Sequence, residues 1–206
     1  MIFTLLVALL VIDDGGRVRS TDDWRGRPTI VAPIYCRCPL ACPLIAKGLK
    51  RGIAESTTPA AQYRVVLFSM DPRDTPDDLH RFRERHQLPL SWTLVSTKNP
   101  RAFLDSLGYR YADANGLFAH PNAVIVLDRN LRPAKFLFGT EWSGREIDEA
   151  IRIATGRRDW IGQFGGLLLA LLLLTALLSA VYLVTLAGGR RPHSEVVLSN
   201  PTHSGS

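Results

Sequence analysis

The pattern of apolar and polar positions divides most of the chain into short strands and amphipathic helices. Apolar runs rich in β-branched residues indicate strands at 29–34, 64–70 and 92–96, and each is followed by a segment with helical spacing. Two further apolar runs, 123–127 and 134–138, are joined by a short polar turn and indicate an antiparallel hairpin.

A last helix between Ser143 and Gly156 completes the order βα, βα, βα, ββα. Alternating strands and helices favour parallel strands joined by right-handed crossovers, and the closing hairpin adds antiparallel strands. The predicted fold class is therefore α/β, a thioredoxin-like mixed sheet flanked by helices, followed by one C-terminal transmembrane helix. Sheets of this kind bind and react at the carboxyl ends of their strands.

The membrane helix is predicted from the stretch 167–187, which contains no charged residue and no proline. As a helix it is long enough to cross a hydrocarbon core of about 30 Å, and a helix buried in a protein core is the less favoured alternative. The predicted domains are an apolar N-terminal segment (1–12), a thioredoxin-like domain (13–156), a linker (157–166), the transmembrane helix (167–187) and a polar tail (188–206).

The two ends of the chain bear on its localisation. The segment 1–12 is apolar and forms either part of a signal peptide or the first strand of the domain. Arg190 and Arg191 directly follow the apolar stretch, so the positive-inside rule favours a cytoplasmic tail. We expect a single-pass protein of the cell membrane whose domain lies on the periplasmic or outer face.

The formal net charge of +6 does not by itself indicate a nucleic-acid partner. Basic residues are scattered and nearly matched by neighbouring acids, as in 71–74, whereas a nucleic-acid-binding domain carries a basic face. We therefore expect no nucleic-acid partner. Four of the five histidines are interpreted as surface or tail residues: His80, His86, His193 and His203.

All three cysteines fall within seven residues, directly after the strand 29–34. Pro39 suits the first position of a helix, which places Cys38 at or near its N-cap, where the helix dipole favours a thiolate. Cys42 follows one turn later. Two sulfurs so spaced can share a soft metal ion or close a disulfide, and filling a core is a weaker alternative. A zinc site is disfavoured because zinc takes four ligands.

The extra cysteine, Cys36, allows three roles. If its segment is extended, Cys36 points to the same side as Cys38. It could then be a third sulfur ligand or a resolving thiol, but a passive strand residue is the favoured interpretation.

The fifth histidine, His120, precedes the strand 123–127. In a thioredoxin-like sheet the loop entering this strand passes close to the cysteine helix, so His120 can approach Cys38 and Cys42. Two thiolates and a neutral imidazole suit copper, especially the soft cuprous ion. A loop histidine without a special role is the alternative.

Three motifs taken together resemble the SCO/SenC family of membrane-anchored, thioredoxin-fold copper proteins. The run 38–43 is similar to the family's CxxxCP motif, 68–76 (FSMDPRDTP) resembles its strand-end signature, and His120 matches its distal metal-binding histidine. The C-terminal anchor resembles a subset of the family. The resemblance implies copper as the bound metal, with sulfur ligands Cys38 and Cys42 and a nitrogen ligand from His120.

Two functions compete on this basis. The resemblance implies an assembly factor that delivers copper to, or prepares the cysteines of, the copper-bearing subunit of cytochrome c oxidase or another copper or thiol protein. The alternative is a membrane-tethered thiol–disulfide oxidoreductase in which Cys38 and Cys42 are the redox pair and His120 is dispensable. A peroxidase is less favoured, because no threonine lies just before Cys38.

Overall fold

The structure is a computed structural model, and it describes residues 8–114, 116–156 and 160–188. Within the last segment, side chains are described for 169–185. The chain divides after Arg158 into two compact units. Predictions for 1–7, the start of the linker and the polar tail fall outside the described residues.

The first unit contains strands and helices in the predicted alternation. The described strands are β1 (Leu10–Asp13), β2 (Val18–Ser20), β3 (Thr29–Ile34), β4 (Arg64–Ser69), β5 (Thr93–Ser96), β6 (Ala112–Ala114), β7 (Leu117–Ala119), β8 (Ala123–Leu127) and β9 (Pro133–Phe138). The described helices of this unit are α1 (Ala41–Glu55), α2 (Pro76–His86), α3 (Pro100–Ser106) and α4 (Gly144–Ala154).

Seven of these strands form one mixed sheet in the order β2-β1-β5-β4-β3-β8-β9. Strands β3, β4 and β5 are parallel, and β8 runs antiparallel to β3, so the predicted thioredoxin-like arrangement is confirmed. The register pairs Ile34 with Ser69. The residues that follow β3 and those that follow β4 therefore emerge side by side at one edge of the sheet.

Burial explains why the central strands read as continuous apolar runs. Every residue of β3 is buried, and so is almost all of β4, because helices cover both faces of a parallel sheet. Side-chain caps start two of the covering helices. Thr75 with Asp78 begins α2, and Ser143 with Glu146 begins α4, each pair forming a reciprocal capping box.

Helix α1 departs from the prediction in two respects. It begins at Ala41, with Leu40 as its N-cap, so the placement of Pro39 at the first helical position was wrong. A proline disfavours helical backbone in the residue before it, which keeps Cys38 outside the helix. The helical spacing of Leu44, Ile45, Gly48 and Leu49 in the sequence also predicts that these four share one face. The inward face of α1 carries Cys42, Ile45, Ala46, Gly48, Leu49 and Gly52, but Leu44 is 45% exposed.

Glycine at position 48 lets α1 lie directly on the backbone that follows β9. A Cβ at Gly48 would overlap the carbonyl oxygen of Thr140. This close approach fixes the rotation of α1 about its axis. It thereby determines which side chains near the cysteines face solvent.

The stretch 109–120 is rich in tyrosine, aspartate, asparagine and glycine, a composition that predicts a loop. The structure has a small hairpin there, β6–β7, in which Asp113 pairs with Phe118. Phe118 is buried and meets the ring of Tyr35 edge-on at 4.9 Å between centroids. Phe118 is the one buried residue of the two described strands, so the hairpin lacks the alternation of apolar and polar residues that would indicate strands in the sequence. The hairpin carries the chain from α3 to His120.

The second unit is described as one helix, α5 (Trp160–Gly188), which begins inside the predicted linker. Its described side chains at 169–185 are rich in leucine and exposed. Among the described residues, no helix combines the length and apolarity that crossing a membrane requires. The membrane span at 167–187 stays a prediction.

Candidate functional site

A tight turn carries the cysteines away from the end of β3. The backbone N–H of Cys38 donates to the carbonyl of Tyr35 at 3.1 Å. The backbone N–H of Cys36 donates to a carboxylate oxygen of Asp74 at 2.8 Å. The segment is therefore a turn, and the condition of an extended chain, under which Cys36 would point to the same side as Cys38, is not met.

Backbone amides also hold the sulfurs of the predicted pair. The N–H of Cys42 donates to Sγ of Cys38 at 3.3 Å, and the N–H of Tyr35 donates to Sγ of Cys42 at 3.4 Å. Cys42 is fully buried in the first turn of α1, while Cys38 is partly exposed just before the helix. Both are free thiols, so the structure brings the predicted pair together in its reduced form.

The two thiols of the pair differ in acidity. Burial works to raise the pKa of Cys38, but hydrogen bonds from the backbone N–H groups of Cys42 and Leu40, together with the Tyr35 hydroxyl, lower it overall. Burial raises the pKa of Cys42, and the neighbouring Cys38 adds to this effect. Because the thiolate is the nucleophile and the metal ligand, Cys38 is the reactive member.

The contact between Tyr35 and Cys38 also changes the acidity of the tyrosine. Burial raises the pKa of Tyr35 to about 12, and its hydrogen bond with Cys38 contributes. The phenol therefore stays protonated across the physiological range. It can donate to the Cys38 sulfur throughout that range.

Cys36 is buried on the far side of the turn, against Asp74. Burial raises its pKa well above the ordinary range, and the Asp74 carboxylate contributes through charge and a hydrogen bond. A thiol held protonated in this way favours the passive role. The ligand and resolving roles are not tested by this arrangement.

The motif 68–76 is predicted to supply no ligand and to shape the rim of the site through its caps and turns. Its carboxylates lie along the rim of the cysteine turn. Asp74 accepts a hydrogen bond from the Ser69 hydroxyl at 2.6 Å. Asp71 is buried and pairs with Arg73 at 2.8 Å and with Arg37 at 3.0 Å. Arg37, which lies between two cysteines, is thereby fixed to the rim.

The ring of His120 is held by oxygen atoms at one nitrogen. Its Nδ1 lies 2.9 Å from the carbonyl oxygen of Pro121 and 3.0 Å from the hydroxyl of Tyr109, which itself donates to that carbonyl at 2.8 Å. A protonated Nδ1 satisfies these acceptors. The neutral imidazole then carries its lone pair at Nε2, the nitrogen available to a ligand.

Two tyrosines connect His120 with the cysteines. The ring of Tyr35, whose side chain bonds Cys38, meets the His120 ring edge-on at 6.4 Å between centroids. Burial raises the pKa of Tyr109, which bonds His120, and the charge of Cys42 adds to this effect. Among the described residues, however, no three His, Cys, Asp or Glu side chains converge closely enough to hold a metal ion. The three-ligand set stays a prediction.

Sequence reasoning missed three residues of this site: Tyr35, Asp74 and Tyr109. Asp74 stood in a recognised motif but was assigned only to caps and turns. Tyr35 adjoins the cysteines, and only its position gave a signal. Tyr109 lay in a stretch interpreted as loop, although it is almost fully buried.

The fold and the cysteine turn can now be set beside known proteins. The SCO1/SenC family profile matches residues 9–155, which is most of the chain and includes the whole site. The chain belongs to the SCO1/SenC family. A search of curated proteins gave no match.

Solved structures agree with this SCO1/SenC assignment. A candidate electron transfer protein from Aquifex aeolicus VF5 is 32% identical, with a TM-score of 0.67 over 72% of this chain and 90% of that one. Arabidopsis thaliana ScoI with copper bound is 18% identical (TM-score 0.62, 72% and 99% covered). Yeast Sco1 with copper bound is 16% identical (TM-score 0.59, 78% and 93% covered).

The difference in acidity predicts an order of alkylation. When the reduced protein reacts with iodoacetamide at increasing pH, Cys38 should be modified at a lower pH than an ordinary cysteine, because its pKa is lowered. Cys36 and Cys42 should require a higher pH, because their thiols are buried. Mass spectrometry of proteolytic peptides measures each site, and the protein unfolded in urea, where the three should react alike, is the control. Earlier modification of Cys36 or Cys42 would contradict the assignment.

Proposed function

We propose that this SCO1/SenC protein binds one copper ion through Cys38, Cys42 and His120, and that it serves in assembling the copper centre of cytochrome c oxidase. The observation that carries the proposal is the reduced cysteine pair, held by backbone amides at the edge of the sheet. The partner protein would be the copper-bearing oxidase subunit or another copper or thiol protein.

The donor set fits cuprous copper. Thiolate and imidazole are the ligands that select this soft ion. Cys38 has a lowered pKa, while Cys42 must lose its proton when the metal arrives, so copper binding should weaken as pH falls. The oxygens around Nδ1 of His120 leave Nε2 for the metal and fix the orientation of the ring.

Several relatives support the proposal by what they bind or do. The Arabidopsis and yeast proteins described above contain copper. BsSco, 17% identical with a TM-score of 0.63, is a member of the Sco family of cytochrome c oxidase assembly proteins and has a disulfide switch. Copper binding and thiol chemistry thus both occur on this fold.

A second candidate function, thiol–disulfide exchange, is favoured by the partial exposure and lowered pKa of Cys38. The Cys38 thiolate would attack a partner disulfide, forming a mixed disulfide and releasing one partner thiolate. Cys42, after losing its proton, would then displace the second partner sulfur and close a Cys38–Cys42 disulfide. The partner gains the two electrons that the pair loses. His120 would not be required for this reaction.

We also propose that the chain is anchored in the cell membrane by 167–187, with the first unit on the periplasmic or outer face. Support comes from the sequence of this stretch, which has no charge, and from the position of Arg190 and Arg191 directly after it.

Copper titration tests the main proposal. The full-length protein in neutral detergent, reduced and anaerobic, should hold one copper(I) per chain in competition with a chromophoric chelator. His120→Ala should lower the affinity by at least about 100-fold, the upper end of what loss of an outer partner costs. Tyr109→Phe, which removes the hydroxyl beside Nδ1, should cost about 10–100-fold.

The matched control is His80→Ala, because His80 is exposed on α2 and pairs with Glu84. Its affinity should equal that of the wild type. Equal affinity in His120→Ala would exclude His120 as a ligand. Absence of copper binding in the wild type, combined with exchange activity that survives His120→Ala, would leave the oxidoreductase.

Membrane attachment is tested by extraction. The full chain should resist alkaline carbonate, and a variant ending at Gly156 should appear in the soluble fraction. A membrane-impermeant maleimide should label Cys38 in intact cells or spheroplasts, because the reactive thiol faces outward. Release of the full chain by carbonate, or labelling only after lysis, would contradict anchoring or orientation respectively.

A further inference from the structure

Helix α1 presents an exposed face that the fold does not use. Leu40, Leu44, Lys47 and Arg51 are spaced by four, three and four residues, so they lie along one side of the helix. Leu40 is 69% and Leu44 45% exposed. The apolar end of this face adjoins Cys38, and its other end is basic.

Two shallow grooves flank this face, and Leu44 and Lys47 line both of them. The larger, about 340 Å³, is completed by Pro43, Lys50, Arg85, His86 and Gln87. The smaller, about 120 Å³, is completed by Gly48, Arg51, Thr140 and Glu141. The face is therefore a ridge between two grooves. This shape suits the binding of an extended segment better than that of a flat protein surface.

The charge of these grooves is unbalanced. In the larger groove no described lining residue is acidic, and its cations are Lys47, Lys50 and Arg85. Lys50 donates to backbone carbonyls at the end of α2, and no carboxylate partner is found for Lys47 or Arg85 in the described part of the chain. In the smaller groove Glu141 pairs with Arg51.

The pKa of His86 reflects the same excess of positive charge in the larger groove. Burial lowers the pKa of His86, and the positive charges of Arg85 and Lys50 lower it further. A carboxylate entering the larger groove would relieve this repulsion. Positive potential in a concave site also attracts an acidic partner from solution.

We propose that the exposed face of α1 and its two grooves dock an extended acidic segment of the partner protein, with apolar side chains against Leu40 and Leu44 and acidic ones beside Lys47 and Arg85. Such docking would bring a partner sulfur to the exposed side of Cys38. The inference rests on the proposed function, because it names the surface through which the partner reaches the cysteine pair.

Peptide binding tests this surface without thiol chemistry. The probe is a short fluorescent peptide in which serine replaces the cysteine, followed first by leucines and then by glutamates. Fluorescence anisotropy with the full-length protein in neutral detergent gives its affinity. At low salt it should bind at least about tenfold tighter than the same peptide with lysines for glutamates, and the preference should fade near 1 M salt.

A third peptide, with glycines for leucines, should bind at least about fivefold more weakly than the probe, because the apolar contact is lost. The double variant Lys47→Glu, Arg85→Glu should lose the preference for acid. Lys135→Glu is a charge-reversal control outside the grooves. Lys135 is exposed on β9 and pairs with Val126, which pairs with Ile30 near the start of β3, away from the cysteines. It should behave as the wild type.

Equal binding of the acidic and basic peptides would overturn the proposal. Equal binding of the leucine and glycine peptides would also overturn it. That result would show that the basic surface attracts by charge alone, so that it would bind an anionic membrane as well as a peptide. Retained preference in the double variant would place the site elsewhere. Copper titration of the same samples separates the two proposals. If the protein binds no copper but still prefers the acidic peptide, only the proposed copper function is contradicted.

Discussion

Hydrogen bonds from backbone amides to sulfur are the constraint on which the site depends. The amide of Cys42 points at the Cys38 sulfur, and the amide of Tyr35 points at the Cys42 sulfur. These amides are fixed because β3 ends and α1 begins within a few residues. A hydrogen bond from a backbone amide stabilises the thiolate form of a sulfur. At Cys38 such bonds outweigh burial and lower the pKa, whereas at Cys42 burial outweighs them and raises it. The fold thereby favours the reactive thiolate at Cys38 and keeps Cys42 as a protonated thiol.

The fold was predictable because its signals are local. The buried strand β3 is an uninterrupted apolar run, and the starts of α2 and α4 are marked by Thr75 with Asp78 and Ser143 with Glu146. The proximity of Cys38 and Cys42 follows from their spacing. The approach of His120 to them is predicted only from the topology of the sheet, and the three-ligand set stays a prediction.

The remaining features depend on contacts between distant parts of the chain. The rotation of α1, which exposes Leu44, is set by Gly48 lying on the backbone of Thr140. The hydroxyl of Tyr109 reaches His120 only because the β6–β7 hairpin returns the chain. Cys36 was predicted to be a strand residue, because nothing in the neighbouring sequence indicated that Asp74 would form hydrogen bonds with its backbone N–H and its thiol. In each case the deciding atom belongs to another element.

The most direct test of the account is X-ray absorption at the copper edge of the cuprous-loaded, full-length protein. The account predicts scattering from two sulfur ligands and one nitrogen ligand, with the nitrogen contribution absent in His120→Ala and unchanged in His80→Ala. Two sulfur ligands alone in the wild type, or a nitrogen contribution that persists in His120→Ala, would contradict the assignment of the third ligand and with it the site proposed here.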